Sequence, residues 1–387
     1  MRRLIAVALL GLACASPGMP PGGPPDVAAP QLLSITPDSG AVGVRPKEIV
    51  FRFDEVVAER PPSTTSLSDL FLISPRNGVP DASWHRDLIG VKPTRGWRPN
   101  TAYTVIMRRG LADIRGNVRN TGVTTFFSTG SKIPRTRITG NVFDWVSGSP
   151  ATGALVESFV PPDSLHAFIA IADSNGTFLM EHMPAGRYAL RAYIDRNNNQ
   201  GIDPSEPWDS TSINVTDSAR SDLFIFVHDT IPPRIRDIGA TDSVTLRVTF
   251  DKPIDPTQNL TAANFAVIGP DSAPLPIASA GPPPKDTTRK VAPRPSAPSA
   301  PPGVARPPGR ARADTTINIP KPVMSRPLPI SEVVIKMQRP LAPKTAYRVR
   351  AIGIRGLLGR SGDSERVYTV PAPAPPPKAP AKPPAKT

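Results

Sequence analysis

Short runs of apolar residues, separated by polar and turn-forming residues, recur along most of the chain. Residues 49–53, 103–107 and 124–127 are rich in β-branched and aromatic side chains, and Gly, Asn, Asp and Pro cluster between such runs. This pattern is typical of β-strands joined by tight turns, and helical periodicity is scarce. The chain is therefore predicted to be all-β, built from three consecutive β-sandwiches.

Proline-rich segments separate these strand-patterned stretches. Of the 52 prolines, 28 fall at about residues 14–30, 281–329 and 371–387. Segments with so few aromatic residues cannot bury enough apolar surface to fold, so we expect extended, disordered linkers at 14–29 and 281–329 and a disordered tail at 371–387. The folded stretches are then predicted at 30–130, 131–229 and 230–370, the last of them interrupted by the insertion 281–329.

The distribution of charge changes what the basic composition implies. The net charge is +14, but the insertion contributes +7, the tail +3 and the first three residues +2. The folded stretches are thus nearly neutral, and the sequence does not indicate a nucleic-acid-binding groove. The tail at 371–387 is either a basic arm that contacts peptidoglycan or another polyanion, or a solubilising tail.

The N-terminus has the pattern of an export signal. Arg2 and Arg3 precede the apolar run 4–12, and the small residue Ala13 separates this run from Cys14, the only cysteine of the chain. The run is too short to span a membrane, so residues 1–13 are predicted to be a cleaved signal peptide. A single cysteine in an exported protein cannot form an intramolecular disulfide.

This leader resembles that of bacterial lipoproteins. The resemblance implies that Cys14 is lipidated and becomes the first residue of the mature chain, which would attach the protein to a membrane. Gly11 departs from the family pattern, which has Leu three residues before the cysteine. Ala15 after the cysteine implies the outer membrane, on its periplasmic side or at the cell surface. The alternative is an ordinary secretory signal that contains a cysteine.

The first folded stretch carries an ordered series of motifs that cover nearly all of it. They lie at residues 30–44, 50–55, 97–105, 113–117 and 126–130. The series resembles the bacterial Ig-like domain of the SbsA S-layer type. In that family these positions are structural: Tyr103 places a buried ring at the start of a strand, and Gly116-Asn117 forms a turn.

Two of these motifs return near the end of the chain. Residues 249–252 match 52–55, and residues 341–349 match the motif around Tyr103, with offsets that differ by 47 residues. That difference is close to the length of the insertion 281–329, so we predict one Ig-like domain at 230–370, split by a surface loop. A loop of this size costs little, because closure entropy grows only logarithmically with length. The alternative is a short domain on each side, with too few strands for a core.

The middle stretch, 131–229, has different motifs, at residues 140–144, 150–156, 172–178 and 184–193. They resemble the prealbumin-like β-sandwich of carboxypeptidase-regulatory-like and Cna-B-type repeats. The resemblance implies a support module of a kind that sometimes binds carbohydrate.

One loop of this middle stretch carries the strongest candidate chemistry. Oxygen-bearing residues follow the spacing of an EF-hand-type calcium loop, and they are Asp195, Asn197, Asn199, Gly201 through its carbonyl, Asp203 and Glu206. Gln200 stands where that loop has Gly, and the flanking residues have strand patterns. The loop is either a structural calcium site that pins the chain or a polar, Asx-rich turn without an ion. No other cofactor is required.

Enzymatic motifs are missing from the sequence, so no catalytic residues are predicted and the protein is not expected to be an enzyme. The four histidines are scattered, and there is no zinc spacing, nucleophile elbow or phosphate-binding loop. Gly362-Asp363-Ser364 is interpreted as a turn rather than as part of an esterase site. Trp97 and Trp145 are assigned to cores, and Trp208 is a candidate platform for a glycan ring.

Together these features predict a non-catalytic lipoprotein of the cell envelope. It would act as an adhesion-type scaffold whose Ig-like domains engage an envelope protein, a polysaccharide or peptidoglycan, with strand addition as one route. The alternative is a carbohydrate-binding accessory protein that acts through the middle domain.

Overall fold

The computed structural model describes residues 25–197, 199–284 and 324–372. The predicted signal peptide, Cys14, the tail from residue 373 and most of the insertion lie outside the described residues. Within them the chain forms strands and three short 3-10 turns, which confirms the all-β prediction. None of the helical segments in the described part is long and apolar enough to cross a membrane.

The chain divides into two compact units, residues 1–133 and 134–387. The strands of the first unit are β1 (Leu32–Thr36), β2 (Ile49–Phe53), β3 (Phe71–Ser74), β4 (Pro80–His85), β5 (Leu88–Pro93), β6 (Ala102–Met107) and β7 (Val123–Ser128). They form one sheet of order β1-β2-β5-β4 and a second of order β3-β6-β7. In β2, Ile49, Phe51 and Phe53 are buried because alternate side chains of a strand face the same side.

The second unit begins with a sandwich of eight strands, which we call the middle sandwich. Its strands are β8 (Thr136–Asp144), β9 (Leu155–Phe159), β10 (Phe168–Ile171), β11 (Thr177–Met183), β12 (Gly186–Tyr193), β13 (Pro207–Val215), β14 (Ser218–Arg220) and β15 (Leu223–Val227). They hydrogen-bond in the order β10-β9-β12-β13-β15-β8-β11, with β14 beside β8. Because residues from all of these strands contact one hydrophobic core, the sheet curls around that core.

The same unit ends with a second sandwich, which we call the last sandwich. Its strands are β16 (Ile235–Asp242), β17 (Thr245–Ile254), β18 (Phe265–Ile268), β19 (Pro274–Leu275), β20 (Ile277–Gly281), β21 (Ile330–Met337), β22 (Ala346–Arg355) and β23 (Ser361–Thr369). One sheet has the order β16-β17-β21-β20 and the other β19-β18-β22-β23. Strands from before and after the insertion therefore pair in both sheets and bury residues in one core.

The insertion leaves and re-enters the last sandwich through neighbouring strands. The strands β20 and β21 are antiparallel partners, with Gly281 opposite Val334. The structure describes the chain up to Pro284 and again from Met324. The margins of the predicted insertion are therefore ordered strand and extended chain, and residues 285–323 lie outside the described residues.

The repeated tyrosine motif has the same geometry in both places. The hydroxyl oxygen of Tyr103 accepts a hydrogen bond from the backbone N–H of Arg98 at 2.8 Å, and that of Tyr347 accepts one from Ala342 at 2.9 Å. In each case the donor lies five residues before the tyrosine. Burial raises the pKa of Tyr103, partly offset by the Arg98 N–H.

Candidate functional site

One layer of the middle sandwich, which contains β8 and β15, carries apolar side chains on both of its faces. In β15, Leu223 and Ile225 point into the core, whereas Phe224 and Phe226 point outward. In β8, Val142 points inward and the next residue, Phe143, points outward. The sequence signal for this second face is a continuous apolar run, which is typical of strands covered on both sides.

The outward side chains form what we call the outer aromatic layer. Its members are Phe143, Trp145, Tyr193, Trp208, Phe224, Phe226 and His228. Trp145 packs edge-on against Phe226 at 5.2 Å between ring centroids. His228 lies 4.4 Å from Phe226 and 3.7 Å from Trp208. A row of touching rings thus runs from the end of β8 to the start of β13.

A buried ion pair continues this layer across β12 and β9. Glu157 has 0% exposed area although its side chain points outward. Its carboxylate accepts hydrogen bonds from Nε of Arg191 at 2.6 Å and from the hydroxyl of Tyr193 at 2.9 Å. The Arg191 guanidinium also lies 5.0 Å from the ring of Phe159. A buried carboxylate requires this pairing, because its desolvation is otherwise strongly unfavourable.

The predicted calcium loop connects β12 to β13. Glu206 is 2% exposed, and its carboxylate joins the two ends of the loop by accepting the N–H of Arg196 at 2.7 Å and that of Asp203 at 3.0 Å. The carboxylate of Asp195 accepts the N–H groups of Asn199 and Gln200. This arrangement explains why the loop needs carboxylates at both ends.

The interior of the loop carries further oxygen donors. One carboxylate oxygen of Asp203 accepts hydrogen bonds from the side-chain amides of Asn197 and Asn199. Gln200 has φ of 56°, the left-handed conformation that the sixth position of an EF-hand-type loop requires. Oxygens are the ligands that Ca²⁺ prefers, so the donor set fits this ion in kind. The carboxylates of Asp195, Asp203 and Glu206 do not all lie within 4.8 Å of one another.

A groove of 670 Å³ lies beside this loop. Ile202, Asp203 and Pro204 form one wall, and strands β9, β12 and β13 form the floor with Phe159, Ala189, Leu190, Arg191, Trp208, Ser210, Thr211 and Ser212. Trp208 is half-buried, because His228 packs against its ring. Burial lowers the pKa of His228, which the carboxylate of Asp209 partly opposes. The groove thus combines an aromatic surface with hydroxyl, carboxylate and guanidinium groups.

A cluster of carboxylates in the first unit was not predicted. Ligand oxygens of Asp26, Glu55 and Asp113 lie within 4.8 Å of one another, and Asp113 is 2% exposed. Asp113 accepts hydrogen bonds from the N–H groups of Arg115 and Asn117 and from the Asn117 side chain. Its three members are far apart in sequence, so only the tertiary fold brings them together.

The members of this cluster differ in their acidity. Burial, followed by the charges of Asp113 and Asp26, raises the pKa of Glu55. Burial also acts to raise the pKa of Asp113, but the hydrogen bonds from Asn117 and Arg115 outweigh it, so its pKa lies below the ordinary value. The buried Asp113 is therefore a stronger acid than an ordinary aspartate, and Glu55 is a weaker acid than an ordinary glutamate.

Other predicted residues lie in structural positions. Trp97 is half-buried and packs against the rings of Tyr103 and Phe127 at 4.9 and 5.1 Å, as a core residue would. Trp145 is 1% exposed, but it belongs to the outer aromatic layer rather than to the core between the layers. Cys14 lies outside the described residues.

The segment Gly362-Asp363-Ser364 does not form the expected turn. All three residues lie in strand β23, where Asp363 accepts the N–H of Gly353 and Ser364 accepts the N–H of Ile235. Their polar atoms join neighbouring strands, so the segment has a structural part in the fold.

The histidines lie on separate elements of the fold. His85 ends β4, and His166 ends a 3-10 turn where it contacts Asp163. His182 has a left-handed φ of 64° in an irregularity of β11. His228 lies in the outer aromatic layer. None of the four histidines belongs to the carboxylate cluster.

Comparison with known proteins identifies one part of the chain. The family model for the bacterial Ig-like domain matches residues 26–129. No curated protein sequence matches.

Solved structures with detectable similarity share little sequence with the chain. A DUF3823 family protein of Parabacteroides merdae is 12% identical, over 35% of this chain and 66% of that one, just under two thirds, with a TM-score of 0.18. BcpA, the major pilin subunit of Bacillus cereus, is 8% identical, over 51% and 71%, with a TM-score of 0.19. The surface layer protein SbsC, domains 1–6, is 10% identical, over 90% and 55%, with a TM-score of 0.19. The comparisons thus show that residues 26–129 of this chain are similar to the bacterial Ig-like domain family.

Proposed function

We propose that the protein is a non-catalytic lipoprotein of the cell envelope that presents its β-sandwiches as a scaffold. The observation that carries the proposal is the bacterial Ig-like domain at 26–129, which follows a lipoprotein-like leader in the sequence. The buried polar side chains of Asp113, Glu157 and Glu206 support it, because each of them bonds to neighbouring groups of the fold. The lipid on Cys14 anchors the chain, and the proline-rich linkers set its reach.

Exposed strand edges offer the scaffold a way to bind. The nine-residue strand β23 lies at the edge of its sheet and carries Val367, which is 64% exposed. An edge strand presents unpaired backbone groups to which an extended segment can add. We propose an envelope protein, a polysaccharide or peptidoglycan as the partner, at the outer membrane on its periplasmic side or at the cell surface.

Intact mass and membrane fractionation of the native protein test the anchor. Wild type is expected to carry acyl chains and to sediment with the outer membrane, whereas Cys14→Ser is expected to be soluble and unlipidated. Ala15→Asp is a matched variant: it is expected to stay lipidated but to fractionate with the inner membrane. Soluble, unlipidated wild type would contradict the proposal and favour a secreted protein.

The groove beside Trp208 favours a second candidate function, a carbohydrate-binding accessory protein. An aromatic ring with neighbouring hydroxyl and charged groups can stack on a sugar and hydrogen-bond its hydroxyls. Glycan-array binding that is lost in Trp208→Ala and retained in Trp97→Phe would support this function, provided that both variants keep their melting temperatures. Equal binding by wild type and Trp208→Ala would contradict it.

We also propose that the loop 195–206 holds a structural calcium ion. The oxygen donors, their spacing and the left-handed Gln200 support this assignment. The ion would fix the loop that forms one wall of the groove.

A further inference from the structure

The chain returns from the insertion across the middle sandwich before it enters β21. The guanidinium carbon of Arg326 lies 3.3 Å from the centroid of the Trp145 ring and 5.8 Å from that of Phe224. The carbonyl oxygen of Pro327 accepts a hydrogen bond from the indole N–H of Trp145 at 2.8 Å. Leu328 packs against Gly148 so closely that a Cβ there would lie 2.8 Å from the leucine side chain.

The three residues that make these contacts, Trp145, Gly148 and Phe224, all belong to the middle sandwich. Trp145 follows the end of β8, and the turn after it is fixed by the N–H groups of Ser147 and Gly148, which donate to the side chain and the backbone of Asp144. Gly148 has φ of 70°, a conformation that favours glycine. A larger residue here would be strained and would fill the space that Leu328 uses.

The contacts have the chemistry by which proteins recognise extended, proline-containing peptides. Such peptides lay proline against an aromatic surface, and their carbonyl groups accept hydrogen bonds from the protein, because proline fixes an extended backbone that carries no competing N–H. The cation of Arg326 over the indole face adds electrostatic attraction to the ring. Each residue of the triplet 326–328 thus has its own contact.

We propose that Trp145, Gly148 and Phe224 form a recognition site for an Arg-Pro-Leu segment, occupied within the chain by Arg326–Leu328. The site acts as a clasp that holds the returning end of the insertion on the middle sandwich. Ile330 begins β21, a strand whose Val333 and Ile335 are fully buried in the last sandwich. The clasp therefore ties the middle sandwich to a core strand of the last sandwich, and this inference is independent of the lipid anchor and of any external ligand.

The indole N–H of Trp145 gives a direct readout in the full chain. Labelling with ¹⁵N-tryptophan gives a separate indole signal for each of the four tryptophans. In the wild type the Trp145 signal is expected to exchange slowly with solvent. Arg326→Ala is expected to shift this signal and to speed its exchange by about tenfold, a factor between those of exposed and desolvated cation–π contacts, because Arg326 is half-buried.

The chain contains its own matched control. Arg339-Pro340-Leu341 repeats the triplet in the last sandwich, and Arg339 is exposed. Arg339→Ala is expected to leave the Trp145 signal unchanged. The indole N–H of Trp84, which donates to the carbonyl of Val57 at 2.9 Å, serves as an internal reference in both variants.

A synthetic peptide tests whether the site at Trp145 binds the Arg-Pro-Leu sequence when that sequence is not part of the same chain. Added to the full-chain Arg326→Ala variant at millimolar concentration, a peptide with the sequence of residues 324–329 is expected to return the Trp145 signal towards its wild-type position. The same peptide with alanine in place of arginine is expected to have no effect. The proposal is overturned if Trp145 exchanges equally fast in wild type and Arg326→Ala, if neither peptide moves the signal, or if both peptides move it equally.

Discussion

Arg191 donates a hydrogen bond from Nε to a carboxylate oxygen of Glu157 at 2.6 Å, and the acceptor is fully buried on the outward face of its sheet. Charged side chains on the outward face of a sandwich are ordinarily solvated. Here the Glu157 side chain has no exposed area, whereas that of Arg191 is 24% exposed, so the acidic half of the pair is interior. This makes the outward face of the middle sandwich a second, smaller core.

Arg191→Ala is expected to destabilise the second unit by about 3 kcal/mol, because it removes the cation that pairs with the buried Glu157 carboxylate. This loss of about 3 kcal/mol is the lower end of the range for breaking a buried ion pair. We expect the lower end because the arginine side chain is 24% exposed. Urea unfolding of the full chain measures the loss, and Glu157→Gln in the same variant is expected to restore part of it. Arg247→Ala, which breaks an exposed pair with Glu332, is the control and is expected to cost at most about 1 kcal/mol. Equal losses for the two arginines would contradict a buried pair.

The hydroxyl hydrogen bonds of Tyr103 and Tyr347 are expected to contribute equally to stability. Tyr103→Phe and Tyr347→Phe each leave one backbone N–H without its acceptor, which costs about 1 to 2 kcal/mol. Differential scanning calorimetry should place the first loss in the first unit and the second loss in the second unit. Tyr368→Phe, at the half-buried position opposite Tyr347 in β23, is the control and is expected to change stability by less than about 0.5 kcal/mol. A loss of stability in only one of Tyr103→Phe and Tyr347→Phe would show that the two hydrogen bonds are not equivalent.

Calcium is expected to raise the melting temperature of the second unit, because an ion that binds only the folded loop stabilises it. The measurement compares melting in calcium with melting in EDTA. Asp195→Asn is expected to abolish the difference. Asp173→Asn alters another Asx turn, in which Asp173 accepts the N–H groups of Asn175 and Thr177, and it is expected to keep the difference. An unchanged melting temperature of the wild type would rule out the ion.

The carboxylate cluster of the first unit is expected to make stability depend on pH through Glu55. The pKa of Glu55 is raised on folding from its ordinary value of 4.5, so its contribution is most favourable at low pH and is lost as pH rises through the raised pKa. Glu55→Gln removes the repulsion with Asp113 and Asp26, and it is expected to stabilise the first unit at pH 7 more than at pH 4. Thermal unfolding at the two pH values measures this, with Glu59→Gln, an exposed neighbour, as control. A larger gain at pH 4 would contradict the assignment.

The sequence by itself determined the features that depend on local order. Alternating apolar runs indicated the all-β class, and the oxygen spacing of residues 195–206 located a loop whose side chains bond to its own backbone N–H groups and to one another. The repeated tyrosine motifs marked two places in the chain where a tyrosine hydroxyl accepts the same kind of hydrogen bond. These features follow from chain conformation over about ten residues, which side-chain pattern controls directly.

Only the tertiary structure decided which distant residues meet. Residues 26, 55 and 113 form one carboxylate cluster, and Pro327 accepts a hydrogen bond from Trp145, which lies 182 residues earlier. Trp145 was predicted to be a core residue, yet it lies with Phe143 on the opposite face of the sheet. Strand alternation tells which side chains share a face, but it does not tell what covers that face, because the covering segments arrive from elsewhere in the chain.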